Sequence, residues 1–127
     1  MRQDDGLELS GRFVLVVDDE EPVRQLVADV LIEAGYRVEA VSCVADARPY
    51  LRDPTLAVVV SDVKMPGESG LVLVAEVHAL RPGLPVILMT GAAGAEERAE
   101  AARRGVPVLE KPFSFAEIEA AVASALV

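Results

Sequence analysis

Five short apolar runs, at residues 13–17, 37–41, 56–61, 85–90 and 106–109, alternate with longer stretches patterned for helix, and this alternation most narrows the folds open to the chain. Three of the runs lack the apolar/polar alternation of a half-exposed strand, which suits strands covered on both faces, as in a parallel sheet. Strand followed by helix five times over gives (βα)5, and right-handed crossovers then favour a doubly wound, five-stranded parallel α/β sheet with helices on both faces. Pro107, inside the fifth run, has no N–H for a sheet ladder, so that strand is expected at an edge, consistent with the order 2-1-3-4-5. In that order a crevice opens at the carboxyl ends of the first and third strands, where successive connections leave to opposite sides.

The helical stretches differ in strength. Val23, Leu26, Val27, Val30, Leu31 and Ala34 form one apolar stripe, with Pro22 suited to its first position and Gly35 to its stop. Residues 43–52 predict a weaker second helix, interrupted by Pro49 and ended by Asp53-Pro54-Thr55. Residues 69–80 predict a third. Residues 95–104, rich in Ala, Glu and Arg, predict a fourth that buries little apolar area and is loosely held. Ser114 and Glu117 spell a capping box at the start of the last helix, with Phe113 and Ile118 in hydrophobic-staple positions.

At 127 residues the chain has room for one core, read as an N-terminal tail at 1–10 and a single domain at 11–127. Charged residues interrupt every long apolar run, so no membrane span is expected, and the acidic N-terminus resembles neither a secretory signal nor a transit peptide. A cytoplasmic address follows. Cys43 is the one cysteine, excluding an internal disulfide. A net charge of −9 argues against direct nucleic-acid binding, which leans on Lys/Arg contacts to phosphate.

The residues that end the strands carry the chemistry: Asp18 and Asp19 after the first, Asp62 after the third, Thr90 after the fourth and Lys111 after the fifth. Singly, each has a plain explanation, since Asp and Thr cap helices and Lys sits on solvated loops. Together, three carboxylates at adjacent strand ends would repel one another unless a cation neutralised them. All-oxygen ligation points to Mg²⁺, which keeps waters and takes one or two carboxylates plus a substrate phosphate. Lys111 then offers a mobile positive charge and Thr90 a hydroxyl donor for phosphoryl oxygens.

These residues, as Asp18-Asp19-Glu20, Ser61-Asp62-Val63-Lys64-Met65-Pro66-Gly67, Thr90-Gly91 and Lys111-Pro112-Phe113, resemble the receiver domain of bacterial two-component response regulators and hybrid histidine kinases. The resemblance runs from Arg12 to the end of the chain and implies a flavodoxin-like fold. It implies that Asp62 takes a phosphoryl group from the phosphohistidine of a sensor histidine kinase or histidine phosphotransfer protein. It further implies that Asp19, Asp62 and the backbone carbonyl of Lys64 bind Mg²⁺, with Asp18 assisting through water. Lys111 would pair with the phosphoryl group, its bond to Pro112 would be cis, and Thr90 would swing to the phosphoryl oxygen past a small Gly91. Such a domain is a switch and not a turnover enzyme; its effector is unspecified and a weak homodimer is compatible with it. Two departures bear on output: Val108 stands where the family usually has an aromatic, and the segment from Gly105 to Lys111 is one residue short.

Other classes fit less well. An aspartyl-phosphate hydrolase of the haloacid dehalogenase kind needs an acid two residues after its nucleophile, and Asp62-Val63-Lys64 lacks one. A nucleotide or flavin module needs glycines after the first strand, where this chain has Asp18-Asp19-Glu20-Glu21. A phosphorylation-independent interaction module would not need the full acidic set. His78, the one histidine, lies among Leu71, Val74 and Ala75 and reads as structural.

Overall fold

The computed structural model describes residues 11–127; the tail assigned to 1–10 lies outside them. Its elements are β1 (Phe13–Val17), α1 (Glu21–Glu33), β2 (Arg37–Val41), α2 (Val44–Ala47) running into a 3₁₀ turn (Arg48–Arg52), β3 (Leu56–Asp62), α3 (Gly70–Leu80), β4 (Val86–Thr90), α4 (Ala95–Arg103), β5 (Val108–Glu110) and α5 (Phe115–Ala125). The five strands form one sheet in the order β2-β1-β3-β4-β5, every pair parallel.

The unalternating apolar runs are the sandwiched strands. β1 and β4 are buried throughout, and β3 all but throughout. Alternate residues feed two cores. Val14, Val16, Val58, Val60, Ile87 and Met89 pack against α1 and α5, while Leu15, Val17, Val59, Val86 and Leu88 pack against α2, α3 and α4. The edge strand β2 is mostly exposed.

Local signals explain the boundaries. Gly35, at φ 103, ends the first helix, and Tyr36 N–H reaches back to Leu31 O at 3.1 Å. The helix begins one residue before Pro22, which takes the second position instead of the first. Ser114 and Glu117 cap reciprocally: Glu117 N–H donates to Ser114 Oγ at 3.1 Å and Ser114 N–H to Glu117 Oε1 at 2.8 Å. α4 buries Ala101 alone, as its composition foretold.

Two expectations need correction. The segment 43–52 is not one helix: α2 lasts four residues and the chain tightens to 3₁₀ from Arg48, because Pro49 cannot donate to the α-helical ladder. The fifth strand is Val108–Glu110 and not 106–109, so Pro107 precedes it. Val106 instead folds back on α4, its N–H donating to Ala101 O at 2.9 Å, and the Pro107 carbonyl accepts from Leu88 N–H at 2.9 Å. β5 does lie at the edge.

Candidate functional site

At the carboxyl end of the sheet, Asp19, Glu20, Asp62, Lys64, Thr90, Gly91, Ala92 and Lys111 line a cavity of about 290 Å³. Asp18, fully buried beneath it, is fixed by its backbone and its side chain alike. Its N–H donates to Val41 O at 3.1 Å, its carbonyl accepts from the Arg24 guanidinium at 2.9 Å, and its Oδ1 accepts from Glu20 N–H at 2.9 Å. Asp62 is 5% exposed and Thr90 2%. Lys111 Nζ donates to Asp18 Oδ2 and Asp62 Oδ2, both at 3.2 Å, and to Glu20 Oε1 at 3.3 Å.

Burial pushes the Asp62 carboxyl above its ordinary value; Lys111 opposes that shift and Asp18 adds to it. For Lys111, burial works against the ammonium, but Asp18 and Asp62 outweigh it and the net shift is upward. The pocket thus sets a lysine held more firmly protonated beside a carboxyl whose charged form burial disfavours.

Ser61 Oγ, fully buried, donates to the Asp62 carbonyl at 2.9 Å. Gly70 presses on the same carbonyl: a Cβ placed there would stand 2.1 Å from Asp62 O and 3.1 Å from Ser61 Oγ. Gly70 N–H donates to Val63 O at 2.8 Å, so the turn after the strand is closed by contacts to the backbone on both sides of the Asp62–Val63 peptide. The Lys111–Pro112 bond is cis.

The sequence placed Asp18, Asp19, Asp62, Lys64, Thr90 and Lys111 at this crevice, and all six meet there. The acids whose oxygens lie within 4.8 Å of one another are Asp18, Glu20 and Asp62, while Asp19 lines the cavity outside that group. Lys64 turns its side chain away to Glu97 of α4, at 3.7 Å. A Cβ at Gly91 would make ordinary contact with Lys111 at 3.9 Å. Thr90 Oγ1 accepts from Ala92 N–H at 3.2 Å. Sequence reasoning missed Glu20, Arg24 and Gly70 as site residues; Arg24, one turn into an amphipathic helix, and Gly70, after a serine cap, carried no signal beyond their helical positions.

Asp18, Asp19 and Asp62 suit a hard divalent cation: three carboxylates, two of them buried, with the Lys111 ammonium to offset part of their charge. A larger depression of about 670 Å³ opens at the opposite end of the strands, but Arg81 there is spent on the carbonyls of Asp53 and Leu56 and the Thr55 hydroxyl on the Asp53 carboxylate at 2.7 Å.

A doubly wound parallel sheet with an acidic crevice at its switch point, lined by a lysine and a threonine, defines a class of α/β module that binds its ligand at the carboxyl ends of the strands. Comparison makes the class specific. Residues 14–123 match the family model of the response regulator receiver domain. The response regulator protein FleR of Pseudomonas aeruginosa is 37% identical over 79% of this chain and 21% of its own length. The probable transcriptional regulatory protein TcrX of Mycobacterium tuberculosis is 36% identical over 93% of this chain and 50% of its own. Among solved structures, the beryllofluoride-activated NtrC4 receiver domain dimer superposes with a TM-score of 0.84 at 29% identity, covering 91% of this chain and 96% of that one. A CheY-like receiver domain protein from Methanospirillum hungatei JF-1 shares the fold, with a TM-score of 0.86 at 24% identity over 92% of this chain and 94% of that one. The chain belongs to the response regulator receiver domain family. It spans a fifth of FleR and half of TcrX. No helix among the described residues is long and apolar enough to cross a membrane.

Proposed function

We propose that this domain is the phosphoacceptor of a two-component phosphorelay, with Asp62 as the residue modified. The observation that carries the reading is the convergence of Asp62, Thr90 and Lys111 with Asp18, Asp19 and Glu20 on one small crevice. A carboxylate oxygen of Asp62 attacks the phosphorus of a phosphohistidine, an O–P bond forms, the P–N bond breaks, and the imidazole leaves with the electron pair. Lys111 keeps its proton throughout and moves its charge from the acids to the incoming phosphoryl oxygens. Thr90 gives up its contact with Ala92 N–H and donates its hydroxyl to one of those oxygens.

Asp18, Asp19, Asp62 and the Lys64 carbonyl would hold Mg²⁺, which when bound neutralises the charge gathered between acceptor and donor. The donor is a sensor histidine kinase or phosphotransfer protein in the cytoplasm. The product is a switched surface for an effector, and phosphoryl turnover is slow, so the domain is not an enzyme in the ordinary sense. Acetyl phosphate with Mg²⁺ should add one phosphoryl group, seen by intact mass. Asp62→Asn should abolish the addition, and undiminished labelling of that variant rules the assignment out.

A further inference from the structure

Glu20 is the acid of the pocket with no assigned task. It stands at the N-cap position of α1 with extended backbone, where a side chain would ordinarily accept from the helix's free N–H groups, yet it caps nothing. Its carboxylate turns instead to Lys111 Nζ, at 3.3 Å, beside Asp18 and Asp62 at 3.2 Å. Of the three carboxylates, that of Glu20 is 60% exposed and those of Asp18 and Asp62 are enclosed, so Glu20 is the arm that closes over the ammonium from the mouth of the crevice.

We propose that Glu20 is a positioning residue for Lys111. It holds the ammonium in its resting place among the acids and so sets how readily Lys111 is released to a phosphoryl group on Asp62. The proposal rests on the phosphoacceptor reading for its consequence, but not for its first observable. One ammonium cannot serve three carboxylates and a dianionic phosphoryl group equally, so each resting contact competes with the one that matters after transfer. An exposed ion pair of this kind contributes modestly and is screened by salt. Its loss therefore alters a rate and leaves the fold intact.

The test uses Glu20→Gln and Glu20→Asp in the whole chain. In the metal-free protein, ¹⁵N-detected spectra should show Lys111 ammonium protons protected from exchange in the wild type and much less protected in both variants, since aspartate from the same backbone is one methylene short. With acetyl phosphate and Mg²⁺, both variants should be phosphorylated about twofold to fivefold faster at low ionic strength, an advantage that shrinks in ~0.5 M salt. The Mg²⁺ dissociation constant, by calorimetry, should change less than about threefold, because the remaining acids supply the ligands. Unchanged ammonium protection overturns the proposal whether or not Asp62 is phosphorylated. So does Glu20→Asp behaving as wild type, which would make bulk charge the cause, or a loss of Mg²⁺ affinity beyond about tenfold, which would make Glu20 a ligand. Absence of phosphorylation in all three proteins, with the ammonium result as expected, would instead remove the phosphoacceptor reading and leave Glu20 as the anchor of Lys111.

Discussion

At Gly70 a single missing carbon governs the shape of the site. Any side chain there collides with the Asp62 carbonyl at 2.1 Å, backbone against Cβ, with no flexible group to give way. Gly70→Ala is therefore expected to destabilise the fold by roughly 2 kcal/mol or more, read by urea denaturation, and to slow phosphorylation of the fraction that remains folded. Asp62 itself predicts the opposite sign. Its folded-state pKa is raised, so the native protein holds that proton more tightly than the unfolded chain, and stability declines as pH rises past the ordinary aspartate value toward neutrality. In metal-free protein at pH ~7, Asp62→Asn should raise Tm by a few degrees, and the gain should vanish near pH ~3 where the wild-type carboxyl is protonated in both states. A lower Tm for the variant at neutral pH would show that the Lys111 contact outweighs the cost of burying the charge.

Among the elements, the connection after β3 is braced from a distance. Arg48, in the 3₁₀ turn, donates to both oxygens of Glu76 on α3 at 2.8 and 2.6 Å and to Glu68 at 2.5 Å, next to the Ser69 cap. The hydrogen bonds from Arg48 hold the Glu76 carboxyl below its usual range, so their support is present above that range and is lost as pH falls through the lowered value. Arg48→Gln should accordingly lower Tm at pH ~7 and match the wild type near pH ~3. Ser114→Ala removes one half of a reciprocal cap and should cost about 1 kcal/mol by chemical denaturation. α4, burying only Ala101, should show the weakest hydrogen-exchange protection of the long helices. The elements were legible where a pattern repeats or a cap has a chemical signature: the α1 stripe, Gly35, and Ser114 with Glu117. They were misread where proline sits near a boundary. Pro49 and Pro107 each mark where a regular ladder cannot run, but the neighbouring chain decides which side of the proline the element takes. The site residues were legible because strand ends can be counted; the turn of Glu20 toward Lys111, and of Arg24 toward the Asp18 carbonyl, depends on helix azimuth, which spacing does not convey.

Seen whole, the described residues form a sheet whose central strands are buried on both sides and whose buried carboxylates, Asp18 and Asp62, meet at one end. Truncating a central side chain such as Leu88, fully buried in β4, should cost 2 to 5 kcal/mol and leave the acidic crevice in place once folded. With a net charge of −9, a basic surface is the natural electrostatic complement of the chain, and any such attraction is screened by salt. The strict alternation along β4 has a further consequence. Ile87 and Met89 face α1 and α5; Leu88 faces the other way, with Val108 of β5, its partner in register, packed against that same core. The strand wall thus keeps the two helical layers out of each other's contacts. Thr90, two residues beyond Leu88, belongs by that alternation to the α4 layer, so a substitution that repacks one core leaves the contacts of the other in place.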